Sequence, residues 1–294
     1  MANAIALASQ FVPVLDEIYK LSSLTAKLDG NPDLVSAGAN ANELIIPKLT
    51  MQGLGAYSRN SGYVAGDVTL TKETVTCNFD RGRMFQVDTM DNLETAGIAF
   101  GRLAGEFIRT KVVPELDAFR FAAYASATGI SKISAGATLA DGAAVIAALR
   151  KGINQMDEDE VPVEDRHLFI TPTLYGMVQD LDTTKSKEVL SRFATITQVP
   201  QTRFYTAITQ YDGTTSGQTG GGYIKDASTG CDINFLIIHK PAVIQFEKHV
   251  APKIITPDQN QNADAYKFGY RNVGIADVYE NKVSGIYLHF KAKA

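Results

Sequence analysis

The chain has 294 residues, of which 45% are apolar, and its formal net charge at pH 7 is −4. This length allows one large domain or two domains, and the acidic balance argues against a dedicated nucleic-acid-binding protein, because phosphate contacts need clustered Lys and Arg side chains. The two cysteines, Cys77 and Cys231, are too few and too far apart for a disulfide framework or a thiolate metal site, so buried, reduced thiols are expected.

The N-terminal residues 4–28 carry apolar side chains at helical spacing and are followed by the linker DGNPDLVSAGANAN. This linker is rich in Gly, Asn and Asp and offers little for the segment to pack on nearby, so the sequence predicts an arm that docks elsewhere. The segment lacks a cationic region followed by a long apolar run. It therefore predicts neither a signal peptide nor a membrane anchor, and we expect a soluble protein made in the cytoplasm.

Between residues 43 and 87 the helical spacing disappears, and glycines interrupt short alternations of apolar and polar residues. This pattern predicts a long hairpin with arms over residues 57–71 and 74–87. The arms hold too few large apolar side chains to bury a core, and an isolated two-stranded ribbon is marginal in water. We therefore expect the hairpin to find support outside itself.

Two arginines, Arg81 and Arg83, lie beside Phe79 and Phe85 in the second arm. A cation next to an aromatic ring is compatible with contact to nucleic acid. Two arginines are too few to favour that interpretation over salt bridges between subunits.

Residues 91–126 form the longest helical pattern of the chain, with one face apolar over most of its length, and predict a long spine helix. Asp91 and Glu94 are spaced as a capping box at its start. Capping is favoured over a cation site formed with Asp88, because a helix N-terminus attracts carboxylates in any case.

The spine also contains candidate hinge positions. Pro114 removes one backbone hydrogen bond and predicts a bend near residues 110–113, in either a kinked rod or two abutting helices. Gly97, Gly101 and Gly105 recur every four residues and predict a stripe where another backbone packs closely.

The rest of the chain alternates helices and strands in an α+β order rather than as a regular βαβ array. The patterns predict a helix over 139–156, a strand over 166–171 and a helix begun by Thr171 and Pro172. A flexible polar loop is predicted over 211–222, followed by a buried strand over 233–238. A candidate strand pair over 242–257 leads to a polar tip, and the last predicted strands are 273–279 and 286–290.

Motifs for catalysis or metal binding are absent from the sequence. There is no nucleophile elbow, Walker sequence or dinucleotide fingerprint. The histidines fall in different predicted strands without the spacing of metal ligands; they are His167, His239, His249 and His289. The sequence therefore predicts no enzyme, no cofactor and no metal.

Three stretches carry a resemblance to a known family: the arm FVPVLDEIYK, the hairpin YSRNSGYVAGDVTLTKETVTCNFDRGRMFQVD and the spine MDNLETAGIAFGRLAGEFIRTKVVPELDAFR. In this order, followed by a mixed α/β region and a final strand pair with a polar tip, they resemble the major capsid proteins of tailed bacteriophages, which have the Hong Kong 97-like fold. The resemblance covers essentially the whole chain and rests on architecture, not on a catalytic signature.

The resemblance implies an α+β fold with six parts along the chain. They are an N-terminal arm at 1–48, an extended E-loop at 49–88, a P domain with the spine helix at 89–129, an A domain at 130–240, P-domain strands with a P-loop at 241–272, and C-terminal strands at 273–294 that return to the A domain.

It also implies a structural protein whose copies assemble through heterologous contacts into hexamers and pentamers of an icosahedral shell around double-stranded DNA. The implied location is the virion capsid, after assembly in the cytoplasm of a bacterial host. Further implied partners are a separate scaffolding protein, since no fused scaffold precedes the arm, a portal protein and a decoration protein. Contacts with packaged DNA would be weak and non-specific, and no membrane partner is implied.

Contact residues follow from the same resemblance. The expected positions are Tyr57, Arg59, Tyr63, Lys72, Arg81 and Arg83 of the E-loop on a neighbouring subunit; Phe11, Ile18 and Tyr19 in contacts of the arm; Pro252, Lys253, Asp258 and Asn260 of the P-loop near three-fold axes; Gly213 and Gly222 at the capsomer centre; and Gly97, Gly101, Gly105 and Pro114 at the spine hinge. Covalent cross-linking is not predicted.

Three other functions stay open on the sequence. An encapsulin, a nanocompartment of the same fold that holds cargo enzymes, would share the architecture. A tail-tube or sheath protein would form open helical tubes. An α+β metabolic enzyme with an unfamiliar site would be monomeric.

Overall fold

The computed structural model describes residues 23–30, 36–37, 43–90, 98–181 and 183–293. Several predicted features lie outside these ranges. They are the arm residues Phe11, Ile18 and Tyr19, the capping pair Asp91 and Glu94, and Gly97 of the predicted hinge.

The secondary structure of the described ranges is mixed. The strands are β1 (Ser36–Ala37), β2 (Glu43–Met51), β3 (Val68–Thr76), β4 (Phe79–Asp88), β5 (Ser131–Lys132), β6 (Arg166–Ile170), β7 (Thr195–Gln198), β8 (Ile208–Gln210), β9 (Tyr223–Lys225), β10 (Ile233–His239), β11 (Val243–Ile255), β12 (Ala265–Val278) and β13 (Ile286–Phe290). The α-helices are α1 (Ile98–Phe107), α2 (Val113–Ser126), α3 (Gly142–Glu158), α4 (Pro172–Leu181) and α5 (Thr184–Leu190).

These strands form two large sheets and two small ones. The central sheet has the order β5-β13-β10-β6-β7, and the spine sheet has the order β11-β12-β4. The small sheets are β1-β2-β3 and β8-β9. The α+β order predicted from the sequence is confirmed.

The predicted spine is a helical rod over residues 98–126, and its irregularity lies where Pro114 predicts one. A π-helical turn, Ile108–Val112, joins α1 to α2, and the backbone N–H of Val113 donates to the carbonyl of Ile108, five residues back. Pro114 has no N–H, and its ring would clash with a carbonyl four residues earlier in a regular α-helix. The wider π turn accommodates this defect, so the spine is one rod with a local irregularity rather than two abutting helices.

Helix α2 is buried on both sides because it lies between the two large sheets. One part of it packs on the spine sheet, through Val113 and Leu116 of the helix and Phe268 and Tyr270 of β12. The other part packs on the central sheet, where the ring of Phe121 lies 5.2 Å from the ring of Phe169. Helix α2 therefore joins the hydrophobic core on one face of the central sheet to the core of the spine sheet.

The opposite face of the central sheet is covered by α3, α4 and α5. Helix α3 begins at Gly142, three residues later than predicted, because the side chain of Asp141 caps it by accepting a 2.7 Å hydrogen bond from the N–H of Ala144. A Cβ atom at Gly142 would lie 2.2 Å from the carbonyl oxygen of Met177 in α4. Glycine is therefore required for the two helices to approach this closely. The strand and helix predicted around Thr171 and Pro172 are confirmed.

The spine sheet corrects the prediction for the C-terminal third. Residues 242–257 do not fold back as a strand pair: β11 is one strand of 13 residues that pairs with β12. Strand β12 is also continuous over 14 residues, so the predicted boundary after residue 272 falls inside a strand. The chain reaches the central sheet only at β13, after a short turn over Glu280–Gly285.

The predicted hairpin arms are wrong. Strand β2 pairs with β3, from Glu43 opposite Thr76 to Met51 opposite Val68, whereas β4 pairs with β12 of the spine sheet. Asn78 explains the change of partner, because its side chain donates to the carbonyl of Ala276 (2.8 Å) and accepts from its N–H (3.1 Å). We call β2, β3 and the connecting residues 52–67 the ribbon, and residues 52–67 its tip. The predicted boundary after residue 48 falls inside β2.

The N-terminal segment Ser23–Gly30 is fastened to its own chain, which corrects the expectation that the whole arm docks elsewhere. Asp117 of α2 is fully buried and accepts hydrogen bonds from the hydroxyls of Ser23 and Thr25 (both 2.9 Å) and from the N–H of Leu24 (3.1 Å). Arg120 donates to the Thr25 hydroxyl (2.8 Å) and pairs with Glu247 of β11 (2.7 Å). We call these side chains the Asp117 cluster.

We predict that Asp117→Ala lowers the free energy of unfolding by about 3–5 kcal/mol, because it leaves the donors of Ser23 and Thr25 and the guanidinium of Arg203, 3.4 Å away, without their carboxylate. Urea unfolding followed by circular dichroism measures the loss. Asp180→Ala, at an exposed site in α4, is the control and should change stability by less than about 0.5 kcal/mol. Equal effects of the two substitutions would contradict the role given to the cluster.

The histidines lie on four different strands, as predicted, and the side chains of His167, His239 and His289 are buried. His289 contacts the Asn234 side chain at 3.0 Å, and burial lowers the pKa of His289 to about 4. Burial also lowers the pKa of His167 and of His239. The folded chain therefore disfavours the charged form of these side chains.

We predict that acid destabilises the chain through His289. Because its pKa is lower when folded, its contribution to stability is full above about pH 6.5 and is lost as the pH falls toward the folded value. His289→Gln should lose less unfolding free energy than the natural chain between about pH 7 and about pH 5, as measured by urea titration at each pH. Parallel losses in the two proteins would contradict this assignment.

Candidate assembly surface

Toward its tip, one face of the ribbon is apolar and exposed, whereas Lys72, opposite Pro47, lies on the same face nearer the base. Residues directly opposite in an antiparallel pair share a face, as do residues two apart along a strand. The pairs Leu49 with Leu70 and Met51 with Val68 therefore lie on the same face. Their exposed fractions range from 52% to 67%, so nothing in the described chain covers them.

Toward the tip, the opposite face of the same ribbon is polar. It carries Thr50 opposite Thr69 and Lys48 opposite Thr71. An amphipathic sheet normally packs its apolar face on a core, yet here that face is open. An exposed apolar patch of this kind marks a surface for another molecule.

The tip extends the apolar surface. The rings of Tyr57 and Tyr63 meet edge to face at 4.9 Å, and a backbone bridge between Ser58 and Gly62 closes the turn between them. Gly62 has a φ of 78°, a left-handed conformation that favours glycine. The predicted contact residues Tyr57, Arg59 and Tyr63 are thus brought together on an exposed turn.

The base of the ribbon is fixed to the body of the molecule. Val75 is buried with Ile244 and Ile275, and Lys48 pairs with Glu280 at 2.8 Å. Lys72, another predicted contact residue, lies on the exposed part of β3. The ribbon therefore projects from an anchored base.

Arg81 and Arg83 do not belong to the ribbon, which corrects their assignment to the E-loop. They lie on β4, where Arg81 pairs with Glu115 of α2 at 2.8 Å and donates to the carbonyl of Tyr211 at 2.7 Å. Arg83 donates to the carbonyl of Thr219 at 3.1 Å. Both arginines hold the glycine-rich loop over residues 211–222 against β4, within one chain.

This loop is irregular and polar, as predicted, and its glycines permit the path. Gly213 and Gly222 have φ values of 77° and 85°, which other residues rarely adopt. A Cβ at Gly213 would also lie 3.1 Å from Arg83 Nη1. The position of the two glycines at a capsomer centre concerns an assembly and stays a prediction.

The predicted P-loop residues are divided by the structure. Pro252 and Lys253 lie within β11, opposite Tyr270 and Gly269. Asp258 is exposed in the turn that follows the strand. Asn260 is buried, and its amide donates to the carbonyl of Ala265 at 3.0 Å, so it holds the turn together from within.

A cleft of about 880 Å³ lies between the spine, β4 and the glycine-rich loop. Its spine wall includes Leu103, Phe107 and Thr110, its β4 wall Arg81, Arg83 and Phe85, and its third wall Tyr205, Tyr211 and Tyr223. The rings of Phe85 and Phe107 meet edge to face at 4.7 Å. No sequence pattern predicts this cleft, because residues more than 100 positions apart form it.

Glu115 lines the cleft. Burial raises the pKa of Glu115 above its ordinary value of 4.5, although the adjacent Arg81 guanidinium acts in the opposite direction. The cost of removing the carboxylate from water therefore exceeds the gain from its ion pair.

Among the described residues, no group of three or more His, Cys, Asp or Glu side chains is placed to hold a metal, and no described helix is long and apolar enough to cross a membrane.

Solved structures match this architecture, although no family model and no curated protein matches the sequence. A structure from Mycobacterium phage Che8 matches with a TM-score of 0.60 at 13% identity, over 91% of this chain and 90% of that chain. The mature capsid of bacteriophage PhiM1 matches with a TM-score of 0.57 at 12% identity, over 88% and 85%. The chain has the fold of phage capsid proteins.

A virus-like particle from Pyrococcus furiosus has the same capsid fold, with a TM-score of 0.54 at 11% identity over 92% of this chain and 98% of that chain. The predicted Hong Kong 97-like fold is confirmed by these matches. At sequence identities of 11–13%, these matches establish the fold alone. The descriptions of the exposed ribbon, the spine and the cleft come from the coordinates of this chain and do not depend on the matches.

We predict that the stability difference between the natural chain and Glu115→Gln depends on pH. Because the pKa of Glu115 is raised on folding, its contribution is full below pH 4.5 and is lost as the pH rises through the folded value. The natural chain should therefore lose unfolding free energy relative to Glu115→Gln between about pH 4 and about pH 7, measured by urea titration. Glu188→Gln, at an exposed site, controls for loss of charge. A difference that stays constant with pH would contradict the burial argument.

Proposed function

We propose that this chain is the structural protein of a closed shell, and that the shell is the capsid of a tailed phage. Copies associate through unlike patches into hexamers and pentamers, without catalysis. The observation that carries the proposal is the apolar ribbon face of Leu49, Met51, Val68 and Leu70, which is open to solvent on a chain with the capsid fold.

The energetics of the ribbon support association. Covering side chains that are exposed by half to two-thirds stabilises a complex by on the order of 1–2 kcal/mol each. One such contact is modest, and ordering of the partners opposes it. In a closed ring every copy makes two such contacts, one with each neighbour. The contact that closes the ring forms between copies that are already held together, so their effective concentration is high. A ring is thus far more stable than an isolated pair.

The capsid assignment gives roles to the other elements. The ribbon acts as the E-loop on a neighbouring subunit, the turn around Asp258 contacts other capsomers, and the glycine-rich loop over residues 211–222 faces the capsomer centre. Double-stranded DNA fills the shell through weak contacts, since the net charge of the chain is −4. Assembly in a bacterial host with separate scaffolding and portal proteins completes the proposal.

A second candidate is a shell around cargo proteins rather than DNA. It is favoured by the match to a virus-like particle from Pyrococcus furiosus, of which 98% is covered. The contents of the purified particle separate the two candidates. Nucleic acid that resists nuclease supports the phage capsid, and a co-purifying protein enclosed in the particle supports the cargo shell.

We predict that electron microscopy of the purified chain, with coexpressed scaffold if required, displays closed shells. Leu70→Lys should abolish them, because it places a charge on the apolar face where a neighbour covers it, and should leave the circular dichroism spectrum unchanged. Thr69→Lys is the matched control, since it adds the same charge at an exposed position on the polar face. It should assemble normally.

Two outcomes contradict the proposal. Open helical tubes would favour a tail protein, and a folded monomer at every concentration would favour an enzyme. Equal assembly of the Leu70→Lys and Thr69→Lys proteins would show that the apolar ribbon face is not the contact surface.

A further inference from the structure

We propose that residues 11–22 of this chain dock in the cleft of the same chain, between its spine and its glycine-rich loop. Residues 1–22 lie outside the described ranges, so the occupant is identified by its sequence and by the point at which the described chain begins. The docking is intramolecular and holds whether or not the chain assembles.

The described chain begins beside this cleft. The Ser23 hydroxyl donates to one carboxylate oxygen of Asp117 at 2.9 Å, two residues along α2 from Glu115, which lines the cleft. Arg203 contacts the other oxygen of Asp117 at 3.4 Å, and its neighbour Thr202 also lines the cleft. The residues that precede Ser23 therefore start at the rim of the cleft.

The segment Ser23–Gly30 leads from β11 to this rim. At one end the N–H of Gly30 donates to the carbonyl of Gln245 in β11 at 3.1 Å. At the other end Ser23 and the N–H of Leu24 both donate to Asp117 of α2. The residues before Ser23 therefore emerge at the α2 end of the segment, where the cleft lies, and not at β11.

The sequence that precedes Ser23 has one apolar face. Apolar side chains recur at steps of three and four, as on one side of an α-helix; they are Phe11, Val14, Leu15, Ile18 and Leu21. Pro13 falls in the first turn of such a helix, where proline is tolerated. A helix over residues 12–21 is about 15 Å long at about 1.5 Å per residue. An amphipathic helix commonly binds by laying its apolar face in a groove.

The cleft has the volume and the apolar surface to receive that face. Its volume of about 880 Å³ lies within the range of about 300–1,000 Å³ that is typical of ligand pockets. Leu103 and Phe107 of the spine, Phe85 of β4 and Tyr223 of β9 present apolar or aromatic surface from different walls. Side chains at helical spacing can therefore contact more than one wall.

The charges of the walls favour an acidic occupant. Within the described residues, three charged side chains of the walls form no salt bridge: Arg83, Lys111 and Asp212. The carboxylate of Asp212 already accepts hydrogen bonds from two backbone N–H groups of its own loop, at 2.8 and 2.9 Å. Arg83 and Lys111 therefore remain as two cations for a carboxylate to meet. The other charged groups of the walls are paired within the chain: Arg81 with Glu115, Glu106 with Arg109, and Lys225 with Asp232.

The N-terminal segment supplies the complementary charge. Residues 11–22, FVPVLDEIYKLS, contain Asp16 and Glu17 against Lys20, so their side chains sum to −2 + 1 = −1. The two acidic residues lie between Leu15 and Ile18 in the sequence, next to the apolar face. The ribbon tip, with one Arg and one Asp, has no net charge and lacks this complementarity. Complementary charge fixes the orientation of a bound segment more than its affinity.

The covalent connection makes a modest contact sufficient. Exposed ion pairs contribute little by themselves, and a single amphipathic segment buries little surface. A segment joined to the cleft by a short stretch of chain has an effective concentration in the millimolar range. Ser23 is held at the rim by a buried carboxylate, so the cleft of the same chain is the nearest one.

Photo-cross-linking tests the docking. Benzoylphenylalanine replaces Ile18, and this light chain is mixed with an excess of the isotopically heavy natural chain before assembly. After irradiation, mass spectrometry should find the peptide that contains position 18 joined to light peptides from residues 103–115 or 205–225. Benzoylphenylalanine in place of the exposed Glu188 is the control and should yield no cross-links to these segments.

Exchange of charges tests the ionic contacts. Asp16→Lys combined with Glu17→Lys should lower the cross-link yield, because like charges then face Arg83 and Lys111. Adding Lys111→Glu should restore part of the yield, since opposite charges meet again. Adding Lys185→Glu instead, at an exposed position of α5, is the matched control and should restore nothing. An unchanged yield in the first variant, or equal restoration by the last two, would overturn the role of these charges.

A bulky side chain tests whether the cleft itself is the receiving surface. Thr110→Trp fills the spine wall at an exposed position and should lose the cross-links, whereas Thr184→Trp, exposed and outside the cleft, should retain them. Cross-links to heavy peptides would place the segment on a neighbouring copy, and cross-links elsewhere on the light chain would place it outside the cleft. Either result overturns the docking and leaves the proposed function standing. Absence of shells in electron micrographs contradicts the proposed function and leaves the docking standing.

Discussion

The fully buried carboxylate of Asp117 is the interaction on which the arrangement of this molecule depends. It lies on α2, between the two large sheets, and accepts hydrogen bonds from the N-terminal segment at Ser23 and Thr25. Arg120, one turn later, connects the same segment to Glu247 of the spine sheet. A buried charge is tolerated only when it is paired and hydrogen-bonded, so helix, segment and sheet each need the others in place.

A body fixed in this way lets the ribbon project. The base of the ribbon is held by the core around Val75 and by Asn78, which bonds both backbone groups of Ala276. Beyond that point its apolar face has no cover from the described chain. Isolated two-stranded ribbons are marginal in water. The body of the fold holds the ribbon in place, and in the proposed shell a neighbouring copy would cover its apolar face.

The spine has two parts with different surroundings. Helix α2 is enclosed by both cores, whereas residues from Leu103 to Thr110 border the open cleft. The π turn between them absorbs the defect at Pro114, and the Arg81–Glu115 pair adjoins it. The helix is therefore irregular where its cleft-facing part meets its enclosed part.

The sequence by itself determined the α+β class, the spine, the irregularity near Pro114, the buried strand β10 and the absence of catalytic motifs, because periodicity, proline chemistry and apolar runs are local. It placed Tyr57, Arg59 and Tyr63 in an exposed hairpin but assigned the wrong arms. Only the tertiary structure decided that β2 pairs with β3 and that β4 joins β12, since strand pairing is settled by distant partners such as Asn78 and Ala276. Burial of Asp117, the intramolecular role of Arg81 and the cleft likewise join residues far apart in the chain, and no local pattern encodes such contacts.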